Sequence, residues 1–119
     1  MIILSYKDLV VWQKSMDLVT EIYALTEQFP TSEQYGLTSQ MRRCAVSIPS
    51  NIAEGRKLGS KAEFRRFLLM SFGSGAELET QIEIGKRLKF GRNLSFEKVD
   101  GFLDEVMRML NKMIHNMNS

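Results

Sequence analysis

Apolar residues recur at intervals of three and four along almost the whole of this 119-residue chain, and no stretch sustains alternation at every second position. That period gathers apolar side chains on one face of a helix, whereas a half-buried strand needs a period of two. The first repeat is Leu9, Trp12, Met16, Val19, Ile22 and Tyr23, with Ser5 and Asp8 placed to cap its start and Pro30 to stop it. Thr31 with Gln34 resembles a second capping pair, before Leu37, Met41, Cys44, Ala45, Ile48 and Ile52; this repeat closes near Gly55 and Gly59. Ser60 with Glu63 opens the third, through Phe64, Phe67, Leu68, Ser71, Gly75, Leu78, Ile82 and Leu88, which Gly91 and Asn93 break. Ser95 opens the last, with Phe96, Val99, Phe102, Val106, Met109, Leu110 and Met113. Four helices with short connections predict an all-α fold, an antiparallel up-down four-helix bundle filling residues 1–119 as one domain.

The stretch SIPSNIAEG, Ser47 to Gly55, disturbs this pattern by setting a proline within the second repeat. A proline inside a helix removes one hydrogen bond and crowds the carbonyl four residues earlier, here that of Ala45, at a cost of ~3 kcal/mol. Either the helix kinks near Pro49, or it ends near Ile48 and restarts with Ser50 as a cap. The kink is favoured because the apolar repeat stays in phase through Ile52. Ser47, Ser50 and Asn51 would then satisfy backbone groups that the proline frees. At 100° per residue Val46, Pro49 and Ala53 form a second apolar patch away from the core stripe, so they are the candidate subunit interface.

The charges are unevenly spread. Up to Met41, Lys7 and Lys14 face Asp8, Asp17, Glu21, Glu27 and Glu33; from Arg42 to Arg66, seven cations face only Glu54 and Glu63. Arg56, Lys57, Lys61, Arg65 and Arg66 surround one turn and are the candidate nucleic-acid contacts, against the plainer reading of a solvated basic face. A composition of 44% apolar and 25% charged residues is that of a globular chain, with no run long enough to span a membrane. A single cysteine, Cys44, agrees with a reducing compartment, and the expected location is cytoplasmic.

Catalytic chemistry finds no foothold. The glycines of GSG at 73–75 follow no strand, so close helix packing explains Ser71, Gly73, Ser74, Gly75 and Ala76 better than a phosphate cradle. Glu54, Glu77, Glu79 and Glu83 lack the two Glu-x-x-His pairs of a di-iron bundle, because the only histidine is His115. Cys44 lies on the apolar face and has no nearby base, which reads as packing. The expectation is a non-enzyme with no metal, no cofactor and no small-molecule substrate. Arg43, Ser47, Asn51 and Glu54, with Glu77 and Gln81 of the third helix, are expected to form a structural polar network in which Arg43 pairs with a carboxylate of ELETQ.

The run QMRRCAVSIPSNIAEG, with YKDLVVWQKSMDL before it and EFRRFLLMSFGSGAELETQIEI after it, resembles the four-helix-bundle family of intervening-sequence proteins, which is named for members encoded within inserts of bacterial 23S ribosomal RNA genes. DL-x-VW, FP-x-x-E-x-YGL and GS-x-x-ELETQ also stand in order, so the resemblance spans Tyr6 to about Met113. It implies a ring-shaped homopentamer, relation to the basic, nucleic-acid-binding accessory subunit of diversity-generating reverse transcriptases, and no catalysis. Two departures from the family's pattern stand out. Leu58 and Gly59 stand where members carry a basic pair, which here falls earlier at Arg56 and Lys57, and Gly75 replaces a leucine. The functional expectation is a homo-oligomeric scaffold or adaptor that binds structured RNA or DNA through the basic turn; the alternative is a protein–protein interaction module with no nucleic-acid role.

Overall fold

The computed structural model describes residues 5–90 and 93–117. It contains four helices, α1 (Val10–Thr26), α2 (Leu37–Leu58), α3 (Lys61–Leu88) and α4 (Glu97–Asn116), and no strand among the described residues. Contacts between helices pair early residues of one with late residues of the next. Between α2 and α3, Cys44 meets Ser74, Ile48 meets Ser71 and Gly55 meets Phe67. Between α3 and α4, Gly75 faces Met107, Lys86 pairs with Asp100 and Arg65 reaches Ile114. Lys14 and Glu105 join α1 to α4. This register is that of antiparallel neighbours, and it sets the α2–α3 turn at one end of a bundle 48 × 22 × 21 Å.

α2 follows its repeat closely: Leu37, Met41, Cys44, Ala45, Ile48 and Ile52 are all buried, and Gly59 ends the helix at φ +84°. The helix is continuous across Pro49, so it does not restart at Ser50. Ser47 Oγ donates to the Cys44 carbonyl (2.6 Å), Ser50 Oγ to Val46 (2.8 Å) and Asn51 Nδ2 to Ser47 (2.8 Å). These side chains therefore bond the carbonyls of Cys44, Val46 and Ser47 rather than that of Ala45, each reaching back about one turn along the helix.

α1 departs from expectation. Its core residues are Val11, Ser15, Leu18, Ile22 and Leu25, while Met16 and Tyr23 are exposed and Trp12 and Val19 half-buried. The helix carries two apolar stripes, and it is the one through Val11, Leu18, Ile22 and Leu25 that packs into the core. Ser15 is tolerated there because its hydroxyl bonds the Trp12 carbonyl (2.8 Å). α4 likewise buries Val99, Leu103, Val106, Leu110 and Ile114, leaving Phe102, Met109 and Met113 at the margin. In α3, Leu88 is half exposed, and Gln81 and Gly85 are buried.

The caps also differ in part. Ser60 accepts from the Glu63 N–H (3.1 Å), as its spacing predicts. Ser5 instead caps a 3-10 turn, Tyr6–Asp8, that precedes α1. Thr31 lies in a second such turn, Thr31–Glu33, and it is Glu33 whose Oε1 takes the Leu37 N–H (3.0 Å) at the start of α2. α3 ends at Lys89 in the left-handed region (φ +48°); the break expected at Gly91 lies outside the described residues.

Candidate nucleic-acid interface and subunit face

The α2–α3 turn brings the five expected cations to one end of the bundle, but it does not leave them equally available. Lys57 and Lys61 are exposed, at the last turn of α2 and the first of α3. Arg65 is half-buried, its Nε donating to the Ile114 carbonyl near the end of α4 (3.4 Å), where a cation also complements the helix dipole. Arg66 makes a two-pronged contact with Glu63 (3.2 and 2.9 Å) and lies over the Phe67 ring at 4.6 Å. That contact lowers the Glu63 carboxyl below its ordinary range and raises Arg66. Arg56 is half-buried and engaged within the chain. The two lysines are thus the cations best placed to meet a phosphate.

No ion pair of Arg43 with a carboxylate of ELETQ is present among the described residues. Arg43 and Glu77 are both exposed. Arg43 points outward from α2, while its neighbour Arg42 turns toward α1. There Arg42 donates to Thr26 Oγ1 (2.8 Å), the Tyr23 carbonyl (3.4 Å) and Glu27 (3.3 Å), with its guanidinium 4.5 Å from the Tyr23 ring centre. Two adjacent arginines gave no sequence signal for which would brace the helices. Ser47 and Asn51 bond their own helix, and Glu54 is exposed.

Gln81 is buried, and its Oε1 has no hydrogen-bond partner among the described residues. An unsatisfied buried acceptor costs about 1–3 kcal/mol, and methionine has nearly the same shape without the polar atoms. Gln81→Met is expected to raise the urea midpoint of unfolding, by about 1 kcal/mol in stability; a fall would show that the amide is satisfied in solution.

Cys44 is buried with its thiol against the Ser74 carbonyl (3.0 Å). Burial, followed by the charge and hydrogen bond of Glu77, pushes the thiol up to about 12. An acid raised on folding stabilises the native state below its unfolded value near 9.0, and this contribution is lost as pH climbs from there toward 12. Cys44 is expected to resist iodoacetamide at pH 8 in the native protein and to react rapidly once unfolded in guanidinium. Rapid native labelling would contradict the burial.

Within GSG, only Gly75 is tightly packed, against Met107 of α4; Gly73 is exposed with nothing near it, and Ala76 is exposed too. His115 is exposed, its Nδ1 3.1 Å from the Asn111 carbonyl. No group of three or more metal-ligating side chains lies together among the described residues, and no helix there is long and apolar enough to cross a membrane.

The second apolar patch of α2 opens onto a groove. Val46, Pro49 and Ala53 line it from one side, and Tyr6, Trp12, Met16 and Val19 from the other, enclosing about 330 Å³. Met16 and Val46 are about two-fifths exposed (41% and 39%), whereas Pro49 is buried at the floor. The α1 stripe excluded from the core is thus the other wall of the face that SIPSNIAEG foreshadows. The family model described as 23S rRNA-intervening sequence protein matches residues 7–112. Comparison with curated proteins gives no match.

Proposed function

Because this chain belongs to the 23S rRNA-intervening sequence protein family, we propose that it is a non-enzymatic, homo-oligomeric scaffold. It presents the basic α2–α3 turn to the phosphate backbone of structured RNA or DNA. The observation that carries this reading is the placement of Lys57 and Lys61, both exposed, at one end of the bundle, with Arg56, Arg65 and Arg66 set around them. Repetition of that end in an assembly would multiply a weak phosphate contact into a useful one. The homopentamer implied by the resemblance supplies such repetition, and the apolar α1–α2 groove supplies a face on which subunits can meet.

Phosphate binding of this kind weakens steeply with salt and reads little sequence. Fluorescence anisotropy with a labelled hairpin RNA tests it. Lys57→Glu with Lys61→Glu is expected to weaken binding and to reduce the slope of log K against log salt by about 2 for each subunit that touches the RNA, roughly one for each lost phosphate contact. Absence of RNA binding at low salt, or binding indifferent to this pair, would overturn the reading. A protein-binding module is the second reading, favoured by the commitment of Arg65 and Arg66 to contacts inside the chain. It requires retention of the partner at high salt and in the lysine variant.

A further inference from the structure

We propose that a shallow pocket where the end of α1 meets the start of α2 takes an unpaired nucleotide of a bound strand, its base stacked on Tyr35 and its phosphate on Arg43. This rests on the nucleic-acid reading and adds a second contact at the other end of the bundle from the basic turn. Tyr35 is 91% exposed, more than any other large hydrophobic side chain among the described residues, so the core gains almost nothing from its ring. The turn that carries it is nonetheless fixed. The Gly36 N–H donates to the Glu33 carbonyl (3.0 Å) and the Leu37 N–H to Glu33 Oε1 (3.0 Å). Among the described residues the Tyr35 side chain has no hydrogen bond, ring contact or cation contact of its own. It is an aromatic surface held in place and left open.

The pocket encloses about 460 Å³, within the range of sites that hold small ligands. Tyr23, Gln34, Tyr35, Ser39, Arg42 and Arg43 are among its lining, and no carboxylate is. The two carboxylates nearest in sequence are engaged elsewhere, Glu27 with Arg42 and Glu33 with the Leu37 N–H. Arg42 already lies on the Tyr23 ring at 4.5 Å and bonds Thr26, so it serves as a flat wall. Arg43 is exposed and makes no ion pair among the described residues, which leaves it for a phosphate. Aromatic rings and guanidinium planes stack on any base, and groups such as the Gln34 amide and Ser39 hydroxyl bond its edge. A duplex keeps its bases inside the stack, so this chemistry selects an unpaired nucleotide, whereas a basic turn meets the phosphates of any strand. The start of α2 and Lys57 lie about 30 Å apart at 1.5 Å per residue, so the two contacts are separable by mutation.

2-Aminopurine, a base analogue whose fluorescence is quenched by stacking, tests the pocket when placed in the loop of a hairpin RNA. A fully paired duplex RNA is the control. At low salt the natural protein and Tyr35→Phe are expected to quench the loop. Tyr35→Ala is expected to lose the quench and to bind the hairpin about tenfold more weakly, with duplex binding unchanged. Arg43→Gln should weaken the hairpin and reduce its salt slope by about 1 for each subunit that touches the RNA. Sedimentation velocity of Tyr35→Ala without RNA supplies the remaining check. A changed mass would assign the ring to a contact between copies and overturn the pocket. If the natural protein binds neither RNA, the nucleic-acid reading falls and the pocket with it. If it binds both without quenching the loop, or Tyr35→Ala weakens both alike, the pocket is overturned while the basic turn stands.

Discussion

Gly55→Leu is expected to lower the stability of the bundle by about 2–3 kcal/mol, although leucine is the better helix former by up to ~1 kcal/mol. The reason is distance. A Cβ at position 55 would lie 2.6 Å from Phe67 Cβ and 3.4 Å from Phe64 Cα, where α2 and α3 converge on their turn. Phe67 is itself buried and its Cβ is fixed to the backbone, so relief requires the helices to part. Gly101→Ala makes the contrast. Gly101 also sits inside a helix, exposed and with nothing within 4 Å, so that change is expected to stabilise by up to about 1 kcal/mol. Urea unfolding at fixed protein concentration compares the two; equal effects of the same sign would contradict the close approach at Gly55.

Pro49→Ala is the second large effect, and it has the opposite sign. Alanine restores an N–H that can donate to the Ala45 carbonyl and removes the ring that crowds it, a gain of up to ~3 kcal/mol. Pro49 is buried at the floor of the groove, so the smaller side chain gives back part of that gain as lost packing. A net rise in stability, a straighter α2 and a changed oligomer mass are expected together, because Val46 and Ala53 lie on either side of the proline in the same groove wall. Unchanged mass with an unchanged backbone would count against Pro49 as a joint between the bundle core and the subunit face.

α2 was readable from its residues because one unbroken aliphatic series, Leu37 to Ile52, outweighs the far-side patch of Val46, Pro49 and Ala53. α1 was not, because Leu9–Trp12–Met16–Val19 and Val11–Leu18–Ile22–Leu25 satisfy the same spacing and only the other three helices decide between them. The basic turn was legible as a position and not as a set of free charges. Glu63 and Arg66 stand three apart, a pairing the sequence already contains, but the Arg65 contact to Ile114 spans 49 positions and exists only once α4 returns to the α2–α3 end. The ELETQ carboxylates raise the same difficulty. Their expected partner, Arg43, is turned outward by the fold, while Arg42 bonds Thr26, Tyr23 and Glu27.

Light scattering on the purified protein, alone and with a pool of structured RNA at low salt, tests the scaffold reading most directly. The prediction is a particle several times 13.7 kDa, near fivefold by the resemblance of the sequence to its family, that gains mass with RNA and loses it again as salt is raised. A 13.7 kDa monomer would contradict assembly, and an oligomer indifferent to RNA would contradict the nucleic-acid role.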